Sequence, residues 1–425
     1  MTIIRLVAGL WIGLMALASM GSGKRTMSVS WNPQCPQSID CAHDGLKNSS
    51  NSVNSLLYFI SNEEGVEESN RTVHIMFSTV GGPAVLMLLT DKHSRVNIDW
   101  RKYLKESERG HSISVDGNIY HAMGVLFSRI WLFNDQNDTA NVDRSWPSNA
   151  IDGIPFERLL WKNVTVSNGT RVTASLAISG DGDDQLWLGQ NGTVRISVEI
   201  FDLAGRSESL PRLPHSDIGC QLDLELDNIE TRNFTQPRLA VETATVSYAA
   251  ITSRNDQYEL TEESNIDDEY TPGVFRTYYL SMPGQDGFVM WKPVAYRQSS
   301  RSFDSFTRAK HGDVKQVANA SSMDNLTMSN VLAAFFGKSF PQHAVAFNMT
   351  LGLQKDKFYS NYRYLVWSLG VGWGSKPPEA LSTVVIIVLI ASLVLPALAL
   401  FVGVPYLIIR KRRTATPYEN LINDT

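Results

Sequence analysis

The chain has 425 residues, 43% of them hydrophobic and 19% charged, with a formal net charge of −5 and an isoelectric point near 5.9. This balance lacks the basic face that nucleic-acid binding requires, and so excludes that class of partner. Three cysteines, Cys35, Cys41 and Cys220, are too few for a disulfide framework, and a chain this long can bury a core without one.

The N-terminus reads as a signal peptide over 1–23: an apolar run at 6–20 follows Arg5 and leads into Gly21, Ser22 and Gly23, which suit a peptidase site. A lumenal region is expected over 24–380. Its Cys35 and Cys41 are close enough in sequence to close a small disulfide loop, which leaves Cys220 over. Ten N-x-S/T sequons fall in this region, at Asn48, Asn70, Asn137, Asn163, Asn168, Asn191, Asn233, Asn319, Asn325 and Asn348. Sequons spread this widely imply a glycan-covered extracytosolic domain.

The region is built of short alternating or β-branched runs separated by turn residues. Strands are expected at 72–77, 84–89, 95–100, 125–133, 171–178, 193–201 and 221–227, then at 242–252, 275–281, 288–296 and 344–353. Helical periodicity is scarce, and the best case is 330–336. The fold class is therefore mainly β, an antiparallel β-sandwich architecture of one large or two tandem domains, with a possible sub-boundary in "PRLPHSD" at 211–217.

Next comes a run without charge at 381–409, longer than the roughly 20 residues a membrane helix needs. Arg410, Lys411, Arg412 and Arg413 follow at once, which places the 410–425 tail in the cytosol and the N-terminal bulk in the lumen. "RKRR" also matches a nuclear localisation patch, but a chain with a signal peptide and a span has no route there. Within the span, Pro396 removes a helix hydrogen bond, and Ala399 with Gly403 forms a small-x-x-x-small pair suited to close helix packing. In the tail, "YENL" matches a Tyr-x-x-apolar sorting signal in which Tyr418 and Leu421 would be read by a clathrin adaptor. Asn423 also starts a sequon, but on the cytosolic side it should stay unmodified.

Catalytic and metal motifs are missing from the mature region: no H-E-x-x-H, G-x-S-x-G, P-loop, G-x-G-x-x-G or C-x-x-C occurs. "GDGDD" at 180–184 lacks the Glu that closes a calcium loop and reads as a turn between strands. The densest acidic cluster is "NIDDEYTPGVF" at 265–275, with Asp267, Asp268 and Glu269 in succession. Successive strand residues point to opposite faces, so Asp267 and Asp268 would not converge as an acid–base pair. An Asx-and-proline corner leading into a strand at Phe275 is the favoured reading, and no cofactor or metal is assigned.

Several motifs in collinear order resemble the glycosylated lysosomal membrane protein family. They are "TVGGPAVLML" (79–88), "WKNVT" (161–165), "CQLDL" (220–224), "IDDEY" with Pro272 and "VF" (266–275), "WKPVAY" (291–296), "AFFG" (334–337), "AFNMT" (346–350) and "YLVWS" followed by "GVG" (364–372). Val345 departs from the family, where the resemblance implies a cysteine, so no family disulfide scheme is carried over. The resemblance implies a type I lysosomal glycoprotein without enzymatic activity, an accessory subunit that associates with a multi-span major facilitator superfamily transporter and protects it from lysosomal proteolysis. The alternatives are a lysosomal hydrolase or carbohydrate-active protein using the acids near Asp267, and a cell-surface adhesion or receptor domain.

Overall fold

The structure is a computed structural model that describes residues 25–39, 56–63, 71–143, 145–168, 174–182, 192–231, 234–248, 259–267, 270–282, 287–316, 331–337, 343–356, 364–374, 376–377 and 383–414. The expected signal peptide over 1–23 and the tail residues Tyr418 and Leu421 lie outside them. The chain divides into two units, Met1–Pro377 and Pro378–Thr425.

The first unit holds two large sheets. One runs, in spatial order, Arg25–Trp31, Leu56–Glu63, Arg71–Ser78, Ala84–Asp91, Ile119–Asn134, Pro237–Tyr248, His343–Leu351 and Ala309–His311. The other runs Glu259–Asp267, Gly273–Met282, Gly287–Tyr296, Tyr364–Trp373, Gly219–Asp227, Thr193–Phe201, Ala174–Gly182 and Leu159–Asn168. Every strand pair shown within them is antiparallel, as expected from the short alternating runs.

One core joins the two sheets. Val85, Val125, Val241 and Phe347 of the first sheet pack in the same cluster as Ile196, Leu224, Trp291 and Trp367 of the second. The chain returns to this core from both sides. Gly219–Asp227 is followed by Pro237–Tyr248 in the opposite sheet, and His343–Leu351 is followed by Tyr364–Trp373 in the sheet it left. Residues 211–217 sit between Thr193–Phe201 and Gly219–Asp227, which are neighbours in one sheet. Arg206 and Pro214 pair there in a two-residue hairpin.

The two sheets differ on their outer faces, and the sequence shows why. In "QLDLELD" the even positions Leu222, Leu224 and Leu226 enter the core, and Gln221, Asp223 and Glu225 occupy the other face. In "AVLMLL" no residue is exposed, because Leu86 and Leu88 are buried beneath a second layer. That layer consists of the Arg95–Ile98 and Ile113–Asp116 hairpin, a helix at Trp100–Leu104 and a helix at Val331–Phe336. Both faces of this strand are dry, so its sequence is a continuous apolar run.

The expected strand at 95–100 ends at Ile98 instead, and Trp100 opens a helix. The cause is local: the Asp99 carboxylate accepts the Lys102 backbone N–H at 3.2 Å, capping the turn. Strands also arise where none is expected, among them Arg25–Trp31, Leu56–Glu63, Leu159–Asn168 and Glu259–Asp267, with shorter ones such as Ile113–Asp116 and Ile151–Pro155. The strand at Tyr364–Trp373 falls on residues marked only by their family resemblance.

The second unit carries one helical segment, Thr383–Leu398, continued by a π-helical stretch at Ala399–Gly403 and a helix at Val404–Thr414. Its part from Val388 to Arg413 is long and apolar enough to cross a membrane.

Candidate functional site

The acidic corner of the sequence is a β-hairpin. Glu259–Asp267 pairs antiparallel with Gly273–Met282, from Glu259 opposite Ser281 to Asp267 opposite Gly273. Asp268 and Glu269 lie outside the described residues, and Asp267 is the last residue of its strand. The Asn265 amide donates to Thr277 Oγ1 at 3.1 Å across the hairpin. On the far side of the turn Thr271 is buried and takes the Lys292 ammonium at 3.1 Å, while the Tyr296 hydroxyl donates to the Pro272 carbonyl at 3.1 Å. A Cβ at Gly273 would stand 2.6 Å from the Phe275 ring, so only glycine lets that ring fold under the turn. Phe275 is buried there, edge-on to Tyr296 and Phe306.

The buried charges are tied up in packing. Arg238 is fully buried and pairs with Asp135 at 2.7 Å, Asp138 at 2.6 Å and Asp356 at 3.2 Å. It also donates to the Leu351 and Leu353 carbonyls. Asp135 in turn accepts the backbone N–H groups of Thr139 and Ala140. Removing one side of such a buried pair costs about 3–5 kcal/mol, so this cluster holds two loops against the sheet. Arg212 and Asp223, 2.5 Å apart, do the same for the residues before Gly219.

Three histidines are packed as rings and kept neutral by burial. His74 bonds Thr90 Oγ1 at 2.9 Å, and desolvation lowers its pKa to about 4. His215 stacks on Phe201 with centroids 3.4 Å apart, and desolvation, partly opposed by hydrogen bonds to backbone carbonyls, brings it to about 4. His311 lies among Tyr278, Trp291 and Phe347 at 4.8, 5.4 and 5.1 Å, and burial lowers it to about 4 as well. Among the described residues no group of three or more His, Cys, Asp or Glu could hold a metal ion. A cleft of about 900 Å³, lined by Asp227, Asn228, Arg297, Ser299, Ser300 and Asp304 among others, is polar, and no histidine is among its described lining residues.

The sequons divide between strands and loops. Asn137 is exposed in the loop held by Arg238, Asn348 is half-buried in the His343–Leu351 strand, and Asn163 and Asn168 lie on the Leu159–Asn168 strand. Asn48, Asn70, Asn191, Asn233, Asn319 and Asn325 lie outside the described residues. Cys35 is disulfide-bonded; its expected partner, Cys41, also lies outside them. Cys220 is free and buried in the inter-sheet core, where desolvation pushes its thiol pKa up. Val345 is fully buried in that same core.

The helical unit is irregular where the sequence has prolines. Pro396 cannot donate to the Ser392 carbonyl, and the backbone changes to π-helical hydrogen bonding at Ala399–Gly403, just before Pro405. The Ser392 hydroxyl donates to the Leu389 carbonyl at 2.8 Å. Ala399 and Gly403 thus begin and end the π stretch. Leu400, Phe401 and Val402 between them are exposed, and nothing lies within 4 Å of a Cβ placed at Gly403.

Sandwich, sequons and apolar helix define the class: a β-sandwich membrane protein with one C-terminal candidate span. A family profile described as glycosylated lysosomal membrane protein matches residues 65–414. The chain is 28% identical to the glycosylated lysosomal membrane protein of Danio rerio over 360 residues, 82% of this chain and 84% of that one. It is 27% identical to glycosylated lysosomal membrane protein B of Xenopus laevis over 406 residues, covering 92% and 93%, and 28% identical to the Homo sapiens protein over 342 residues, covering 79% and 80%. The chain belongs to the glycosylated lysosomal membrane protein family. The family name carries no sign of an enzymatic activity.

Proposed function

We propose that this chain is a non-enzymatic accessory subunit of a multi-span lysosomal transporter of the major facilitator superfamily, which it stabilises and protects from lysosomal proteolysis. Its N-terminal bulk faces the lumen, its sequons carry glycans, and Tyr418 with Leu421 provides the sorting signal that a clathrin adaptor reads. The observation that carries the reading is the candidate span. Pro396 denies the Ser392 carbonyl its usual helical donor, and the small residues Ala399 and Gly403 that bound the π stretch would let a neighbouring helix approach closely and cover it. The sandwich supports it, since its buried charges and histidines hold loops and fill the core.

The experiment is deletion of the chain in cells with re-expression. The transporter's protein level should fall with its transcript unchanged, and lysosomal protease inhibitors or the wild-type chain should restore it. A Tyr418→Ala chain should redistribute to the plasma membrane and fail to restore it. An unchanged transporter level contradicts the protective role.

A further inference from the structure

The four sheet edges differ in how open they are to a further strand. Beyond His343–Leu351 the first sheet ends in strands of three and two residues, Ala309–His311 and Lys315–Gln316, too short to template another chain. Its other edge, Arg25–Trp31, has Arg25 as its one ionisable residue and so offers little charge by which to select a partner. On the second sheet the Leu159–Asn168 edge carries two sequons, and sugars at Asn163 and Asn168 would block approach.

The fourth edge, Glu259–Asp267, is nine residues long and carries no sequon. It lies between the sequons at Asn233 and Asn319, the widest interval between consecutive sequons in the chain. Pairing with Gly273–Met282 uses one side of its backbone, and among the described residues nothing pairs with the other. Residues 259–264 are exposed throughout. Leu260 and Ile266 stand opposite Leu280 and Val274, on the face that carries the inter-sheet core, yet they remain 39% and 77% exposed. The strand holds four carboxylates, on Glu259, Glu262, Glu263 and Asp267. Among the described residues, Arg276 lies 3.1 Å from Glu262 and Lys376 2.6 Å from Glu263.

We infer that the Glu259–Asp267 edge is the lumenal docking site for the multi-span partner, and that it takes an extended Lys- or Arg-bearing segment of that protein as one more strand of the sheet. Main-chain hydrogen bonds supply the affinity, the surplus carboxylates select a basic segment, and Leu260 and Ile266 receive its apolar side chains. This inference rests on the accessory-subunit reading.

The test places a glycan on the edge of the full-length chain. Glu262→Asn, followed by Glu263 and Ser264, completes a sequon there. Two controls accompany it: Glu262→Asn with Ser264→Ala, which makes the same change without a sugar, and Lys92→Asn, which with His93 and Ser94 completes a sequon in an exposed turn of the other sheet. Each chain is purified from lysosomal membranes in mild detergent, and the multi-span transporter recovered with the wild type is quantified. Glu262→Asn should lower its recovery by about tenfold or more, because a sugar on the edge prevents strand addition, while both controls stay within about twofold of wild type. Full recovery with the glycosylated edge overturns the inference and leaves the accessory reading standing. Absence of any multi-span protein with the wild type overturns both. Should the glycan variant be held in the endoplasmic reticulum, a photo-crosslinking amino acid at Thr261 decides instead. An adduct with that transporter from Thr261, and none from the exposed Ser114, supports the inference, and the reverse overturns it.

Discussion

At the residue scale, His74, His215 and His311 make the fold's stability depend on pH. Each has a folded pKa near 4 against an ordinary value of 6.5. The unfolded chain therefore takes up protons as pH falls through 6.5, and the folded chain holds them off until about 4. The stability these rings contribute is complete above pH 6.5 and is lost progressively between 6.5 and 4. For His74 the loss at pH 5 relative to pH 7 is about 2 kcal/mol. For His311, the hydrogen bond to the Gly312 carbonyl and, after it, the carboxylates of Glu262 and Asp313 oppose the shift without cancelling it. Urea unfolding of the full chain in detergent should show a lower midpoint at pH 5 than at pH 7. His311→Phe, which keeps a ring between Trp291 and Phe347, should reduce that difference by about a third, leaving the parts due to His74 and His215; an unchanged difference would show that His311 does not titrate on unfolding. The sequence shows His74 in a strand pattern and the others near turns, but not that three rings meet dry surroundings. That depends on which strand crosses which.

At the element scale, what the sequence reveals follows burial. Strands with one apolar face and one polar face, such as Gly219–Asp227, announce themselves by alternation even where Gln221 and Asp223 are buried, and strands apolar on both faces, such as Ala84–Asp91, by an unbroken apolar run. Glu259–Asp267 does neither: "ELTEESNID" is a polar edge whose pairing is set by the register of its neighbour, so local propensity hides it. The acidic corner is legible as a turn into the strand carrying Phe275, but its incoming strand is not. The helix at Val331–Phe336 is legible from its period, whereas its seat on the first sheet depends on Gly124. A Cβ there would lie 2.1 Å from Leu332 Cδ2 and 2.8 Å from the Val85 carbonyl oxygen. Gly124→Ala should cost about 1–3 kcal/mol, read from urea midpoints, because the backbone contact cannot be relieved by a rotamer change. Adding Leu332→Ala should not restore stability. A neutral Gly124→Ala would mean the helix is free to lift from the sheet.

At the scale of the whole molecule, two tandem sandwiches and one large one are equally compatible with the strand pattern, since spacing alone does not say which strands share a core. The core shared between Val241 and Phe347 on one sheet and Leu224 and Trp367 on the other favours one. Residues 211–217, a composition change in the sequence, connect neighbouring strands of a single sheet. The span is legible from its length, and Pro396 points to its irregularity. The replacement of α-helical by π-helical bonding over Ala399–Gly403, between Pro396 and Pro405, shows only in the backbone.

The accessory-subunit proposal rests on a sandwich whose buried charges hold loops, a candidate span with an interrupted backbone and an exposed acidic edge. The most direct measurement is purification of the tagged full-length chain from lysosomal membranes in mild detergent, with the composition of the complex determined by quantitative mass spectrometry. The expected result is one multi-span transporter recovered in near-equal amount with the chain. Recovery of the chain alone, intact and glycosylated, would contradict the accessory-subunit reading.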